Sequence, residues 1–302
     1  MGKMGAKGMN IVQCGWLNVR KWPGNPRIWV IGLLLASFLY SLLAYVRTFC
    51  VDAGLGVTPW LFPFLMDDPY LVFVFMLGIL LLFCDAPFVD AHQSSLIIRM
   101  GKTTWALGQI FYIMVASALY FAVVIVLSNL LMFPHVGFSA HWGQIIGTLA
   151  QTNAAAYYNV PFFFNYRIML DYSPFSAMAW SFCLAWLIGV FLGLLHFVVN
   201  QSLGRGFGTA LALVLIFLPF FAFDPGGGKL FVLDIAGVCR NITLDYFSPV
   251  SWASLNSIDV IGYKPLPPRL YALLALLGSN GVLGTLAVFA VRKKSVNIMP
   301  PV

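Results

Sequence analysis

DAPFVDAHQSSLIIRMGKTTW, Asp85–Trp105, places two acids, two bases and a histidine between two strongly apolar stretches. The chain around it has 302 residues, 61% of them hydrophobic and only 9% charged, whereas an ordinary soluble domain carries roughly 25% charge. That composition belongs to an integral membrane protein, and in such a protein a compact polar segment marks a loop between two spans. The fold expected is therefore all-α, with the apolar stretches as transmembrane helices.

Working outward from the loop, a helix needs about 20 mainly apolar residues to cross the hydrocarbon core. Six stretches approach this, at 28–46, 70–84, 106–132, 177–199, 207–223 and 270–291. The second is short, and its start can reach back through 63–69. The residues before the first span carry Lys3, Lys7, Arg20, Lys21 and Arg27 with no apolar run among them, which is not the pattern of a cleaved signal peptide. Residues 9–22 mix Trp16, Leu17 and Val19 with Asn18, Arg20 and Lys21, a composition suited to a helix lying in the membrane interface.

Charge sets the expected topology. With the amino terminus inside, bases far outnumber acids on the inner segments, while acids slightly outnumber bases on the outer ones. That asymmetry favours a multi-pass protein with both termini cytoplasmic, and it accounts for the net charge of +7 without nucleic acid. Asp85–Trp105 is then a cytoplasmic loop, and 200–206 a tight inner turn. The long outer segments 133–176 and 224–269 hold Pro, Gly, Asn and aromatics and are expected to form short re-entrant or interfacial helices. Neither is a separate domain, so 1–302 reads as one transmembrane unit. Of the five cysteines, only Cys50 and Cys239 are placed to pair.

Several chemistries lack support. All ten acids are Asp and none sits mid-span, whereas ion-coupled carriers place ionisable groups near the midplane. His196 is the one ionisable residue within a span, and reads as a packing residue. His135 and His141 flank an outer loop but lack the further ligands of a closed metal site, so no metal is expected. Gly101-Lys102-Thr103 resembles the tail of a phosphate loop, yet position 96 is Leu96 where that motif needs Gly. No catalytic residue and no cofactor are assigned to this chain.

Polar and small residues in the spans are candidates for helix contacts or a translocation path. Ser37, Ser41, Ser117, Asn129 and Asn280 are costly toward lipid. Gly189, Gly193, Gly281 and Gly284 permit close helix packing, within the chain or between subunits. In the loop itself, Asp85 or Asp90 can cap a short helix, Arg99 suits its end, and Gly101 supplies a stop. Thr103 or Thr104 can then cap the third span. Phe88, Ile97 and neighbouring apolar residues give the short helix a face that a merely solvated loop does not need.

LLLFCDAPFVD followed by SSLIIRMGKTTWALGQIFYIMVASALYF resembles the permease subunit of type-2 ATP-binding-cassette transporters, in particular the Gram-positive bacterial kind. The likeness is best over 16–129. It implies an exporter-like fold of six spans with an interfacial helix and a coupling helix at about 85–102. Asp85, Phe88, Asp90, Ile97, Arg99 and Lys102 would then contact a partner. The partners implied are two cytoplasmic ATPase subunits, which hold the ATP and magnesium, and a second permease chain, identical or homologous. The setting is the bacterial plasma membrane, and the cargo an amphipathic or hydrophobic peptide, antibiotic or lipid. Two rivals stay open: a membrane-embedded enzyme acting on lipid through His135, His141 and Asp171, and a regulatory or immunity protein that transports nothing.

Overall fold

The computed structural model describes residues 2–88, 97, 100–204, 206–222, 229–235, 238–258 and 266–293. Its helices are α1 (Gly2–Arg20), α2 (Pro26–Ala53), α3 (Phe62–Leu65), α4 (Pro69–Phe83), α5 (Lys102–Met132), α6 (Gly143–Gln151), α7 (Ala154–Tyr157), α8 (Tyr166–Asp171), α9 (Pro174–Leu203), α10 (Phe207–Ala222) and α11 (Arg269–Lys293). Among the described residues, four are long and apolar enough to cross a membrane: α2, α5, α9 and α11, with 28, 31, 30 and 25 residues.

The other two expected spans form helices but fall short. α4 has 15 residues, about 22 Å of helix against a hydrocarbon core of about 30 Å. α3 is wholly buried, so the chain enters the bundle as a folded turn and not as one continuous helix. α10 is similarly short, at 16 residues.

Helix starts follow local rules. Asn25 caps α2 by accepting the Arg27 N–H at 3.0 Å, and Pro26 fills the first helical position. Asp68 caps α4 by accepting the N–H groups of Tyr70 and Leu71, again with Pro next. Ser173-Pro174 opens α9. In each case the proline occupies a place where its missing N–H costs nothing. The expected Thr cap of the third span is not formed, because α5 begins two or three residues earlier, behind Gly101, with Thr103 and Thr104 already inside the helix. Gly101 has φ +82°, a backbone region that favours glycine, and its N–H bonds to the Ile97 carbonyl.

α9 is the hub and packs against α4, α5, α10 and α11. Gly189 lies against Ser117 and Phe121 of α5, and Gly193 against Ile113 and Phe83, so these two glycines serve contacts within the chain. The other pair does not serve in this way: a Cβ on Gly284 would only just touch Ile110, at 3.9 Å, and one on Gly281 would face open space. Side chains also reach neighbouring helix carbonyls, Trp186 to Met114, Tyr120 to Phe75 and Asn280 to Leu187. Such bonds join helices where apolar burial between them gains little, lipid tails being as apolar as Leu.

α1 packs on α5. Cys14, Gly15 and Asn18 all meet α5 within the short stretch 108–112. A Cβ on Gly15 would sit 2.8 Å from the Gly108 carbonyl, and one on Gly108 would sit 2.8 Å from Cys14. Val12, Trp16 and Leu17 stay exposed, as befits a helix with one face on protein and one toward an interface.

At the opposite end of the bundle, the outer segments are only partly helical. Residues 143–171 hold the short helices α6, α7 and α8, as expected. Residues 229–243 depart from the all-α expectation, with β1 (Lys229–Ile235) pairing antiparallel to β2 (Val238–Thr243), followed by three short 3-10 turns. Phe231, Val232 and Ile235 in KLFVLDI are residue types that favour a strand. Cys50 is a buried free thiol, so the pairing with Cys239 is not formed.

Substituting Gly108→Leu should force α1 off α5, costing about 1–3 kcal/mol of overpacking. Cys14, 1% exposed, should then react with a membrane-permeant maleimide that leaves it unlabelled in the parent protein.

Candidate functional site at the basic end of the bundle

The turn at 84–88, where α4 ends, is held from several directions. Asn200, near the end of α9, donates through its carboxamide nitrogen to the carbonyls of Cys84 (3.2 Å) and Ala86 (2.8 Å). Its carboxamide oxygen accepts the Gly208 N–H of α10 at 3.0 Å. One side chain therefore satisfies backbone groups of two neighbouring helix ends. From the other side, Arg27 of α2 reaches Asp85 at 2.5 Å and the Cys84 sulfur at 3.2 Å. The Arg27–Asp85 pair is partly exposed, at 38% and 60%, and contributes accordingly little to stability.

Other residues complete this end. Trp22 donates to the Tyr112 hydroxyl at 3.0 Å, and Asn18 to Gln109 at 3.2 Å, tying α1 and its following turn to α5. Phe88 stacks edge-on against Tyr112 and near Phe83. Arg292 of α11 donates to Thr103 at 3.1 Å. The ends of α2, α4, α5, α9, α10 and α11 thus meet in one layer, together with Arg20, Lys21, Arg27, Lys102, Arg292 and Lys293.

Of the expected coupling residues, the structure brings Asp85 and Phe88 into this layer and sets Lys102 in the first turn of α5. Ile97 packs against the core edge. Asp90 and Arg99 lie outside the described residues. Asn200, the residue with the most connections here, was not among the expected ones. A carboxamide at the end of an apolar run beside a Gly-containing turn, NQSLGRG, is the signal that could have found it.

The candidate path residues do not converge. Ser37 and Ser41 lie on the exposed face of α2, with Ser41 bonded to its own helix at Phe38. Ser117 is buried and bonds to the Ile113 carbonyl, and Asn129 bonds to Ile125. Asn280 is held by Leu187, and its oxygen is buried without a partner. They therefore line no shared polar channel among the described residues. His196 is buried, with Nδ1 on the Leu192 carbonyl at 2.8 Å, in keeping with a packing role.

The opposite end carries the buried acids. Asp67, in the turn before α4, accepts from Ser254 at 2.5 Å. Burial pushes its carboxyl up to about 6, against the pull of hydrogen bonds from Ser254, the Asn256 N–H and Asn165, while nearby Asp68 adds to the rise. Arg269 sits 5.6 Å from the ring centres of both Tyr172 and Trp180, and burial pushes the Tyr172 hydroxyl up to about 12. Asp171 is engaged by Arg167 at 3.0 Å, and His135 and His141 show no described contact with it. Among the described residues, no group of three or more His, Cys or Asp side chains is placed to hold a metal ion.

Four long apolar helices, with two shorter ones packed among them, define a helical membrane protein whose polar junctions are gathered at its two ends. No family model matches the chain, and neither a curated protein nor a solved structure matches it.

Asn200→Leu leaves two carbonyls and one N–H without partners and should cost about 2–4 kcal/mol, read as a lower thermal midpoint in detergent. A second expectation follows from Asp67. A carboxyl raised in the folded state stabilises fully below its ordinary value near 4 and loses that contribution as pH rises through about 6. The midpoint should therefore fall between pH 4.5 and 7.5, and Asp67→Asn should flatten that slope while keeping an acceptor for Ser254.

Proposed function

We propose that this chain is the membrane-spanning permease subunit of a type-2 ATP-binding-cassette transporter, exporting an amphipathic or hydrophobic cargo such as a peptide, antibiotic or lipid. ATP is hydrolysed by two copies of a separate cytoplasmic subunit, and a second permease chain, identical or homologous, completes the assembly. The basic end faces the cytoplasm of a bacterial cell, in line with the excess of bases there. Both termini lie on that side, and α4 and α10 serve as the second and fifth spans.

The observation that carries this reading is the multiple anchoring of the turn at 84–88, with Asn200 joining α4, α9 and α10 and Arg27 adding α2. A loop held only by its two flanking helices would absorb a push locally. This one passes a displacement to four helices at once, which is what a contact point for an external motor requires. Closure of the ATPases would bias the bundle between two arrangements, since a partner shifts such an equilibrium only through contacts that differ between them. No covalent step falls to this chain.

Purification of the chain from its native membranes, with co-purifying subunits identified by mass, should yield a nucleotide-binding subunit. In the reconstituted complex, replacing Ile97 and Arg99 by Ala should lower permease-dependent ATP turnover at least severalfold. A chain that brings down no nucleotide-binding subunit, or turnover unchanged by both replacements, overturns the reading.

A further inference from the structure

Between the far ends of α2 and α5, away from the basic layer, lies a cavity of about 360 Å³ lined by Leu43, Ala44, Val51 and Leu131 among others, with Arg47 and Asp52 also on its wall. The chain that builds it is described without a break, from α2 through residue 88 and from α5 through residue 171. Ile28 to Arg47 spans about 28 Å of helix, close to the hydrocarbon core of about 30 Å. With Arg27 at one membrane surface, Arg47 and Asp52 therefore lie at the other, and Tyr40, Leu43 and Ala44 lie at acyl depth.

From this arrangement we infer that the cavity seats one zwitterionic phospholipid with a primary ammonium in its headgroup, a phosphatidylethanolamine, its phosphate on Arg47 and its ammonium on Asp52. Arg47 and Asp52 stand five residues apart, about 140° around α2 and about 7.5 Å along it, so they flank the groove and do not face each other. Both are exposed, and neither forms an ion pair with a described residue, the other included. The Arg47 fork offers five N–H donors. Asp52 is met by the Tyr158 hydroxyl, which orients a carboxylate without neutralising it. Thr48 gives its proton to its own helix, at the Tyr45 carbonyl 2.7 Å away, which leaves the charged pair to choose the ligand. One cation and one anion held apart on the same groove complement a headgroup that carries both charges in sequence.

The groove continues downward as an apolar track. Tyr40, Ala44 and Val51 share one face of α2 over about 16 Å, and Leu33, two turns before Tyr40 on that face, is exposed. An acyl chain has a surface to follow there, whereas a soluble phosphate ester can use only the upper end. Other common headgroups satisfy one charge and strand the other. Phosphatidylglycerol leaves the Asp52 carboxylate beside a phosphate with no cation between them, and phosphatidylcholine brings a cation whose methyl groups offer no N–H and hold the charge off the carboxylate. Discrimination then comes from the unmet partner as much as from the met one. The site needs no ATPase partner.

The test uses the purified full-length chain, depleted of lipid in a neutral detergent, with phosphatidylethanolamine labelled on one acyl chain as probe. Binding should saturate, unlabelled phosphatidylethanolamine should displace the probe, and phosphatidylglycerol and phosphatidylcholine should each do so at least fivefold less well. Arg47→Gln and Asp52→Asn, both at exposed positions, should each weaken binding about fivefold. Asp52→Asn should in addition let phosphatidylglycerol compete nearly as well as phosphatidylethanolamine, a change of preference that a merely structural role for Asp52 would not produce. Ala44→Phe, filling the groove without touching the charges, should weaken all three lipids alike. Unaltered elution on size exclusion for Arg47→Gln and Asp52→Asn separates lost binding from lost fold. Equal displacement by all three lipids, or binding indifferent to both Arg47→Gln and Asp52→Asn, overturns the site. Displacement by O-phosphoethanolamine as readily as by the lipid assigns the cavity to a soluble ligand and overturns the lipid. Probe binding that disappears as the chain dimerises on size exclusion gives this face to a second copy and overturns it equally.

Discussion

In lipid, a backbone N–H or carbonyl that finds no partner inside the protein finds none at all, and each costs several kcal/mol. The carboxamide of Asn200 meets that constraint at the point where it is hardest to satisfy, the break between apolar helices. By holding the Cys84 and Ala86 carbonyls and the Gly208 N–H together, it lets α4 stop and α10 start beside each other without exposing backbone. The turn at 84–88 is thereby held beside the end of α9 and the start of α10.

The two ends of the bundle answer the same constraint by different means. At the basic end, side chains near the helix termini supply the partners. At the other end, long segments fold back over the helices. Val57 pairs with the chain at His135 and Gly137, Thr58 with the Trp142 carbonyl, and Trp60 with Ser139. Asp67 and Ser254 close this end from opposite segments. The acids concentrated there work as buried acceptors and helix caps, which is why so few of them form ion pairs among the described residues.

Much of this is legible in the sequence. Apolar runs located all six helices to within a few residues, except that α2 continues to Ala53 because Arg47 and Asp52 can sit at a helix end near the membrane surface. Asn25-Pro26, Asp68-Pro69 and Ser173-Pro174 mark three helix starts by a local rule, sharper than hydropathy. Less was legible where the outcome depends on distant partners. Ser37 and Ser41 have the composition of a path but the direction of an outer face, and direction follows from which side of α2 meets α4 and α5. Gly281 looks like Gly189 in sequence, yet only Gly189 has a helix opposite it. Asn200 was missed because its value lies in two carbonyls more than a hundred residues away.

α1 has 19 residues, about 28 Å of helix, and it is fastened to α5 by the bare backbones of Gly15 and Gly108, with the Trp22–Tyr112 bond in the turn that follows. With backbone against backbone at that contact, no side chain is left there to repack, so α1 and α5 move as one piece and a force applied to either helix reaches the other.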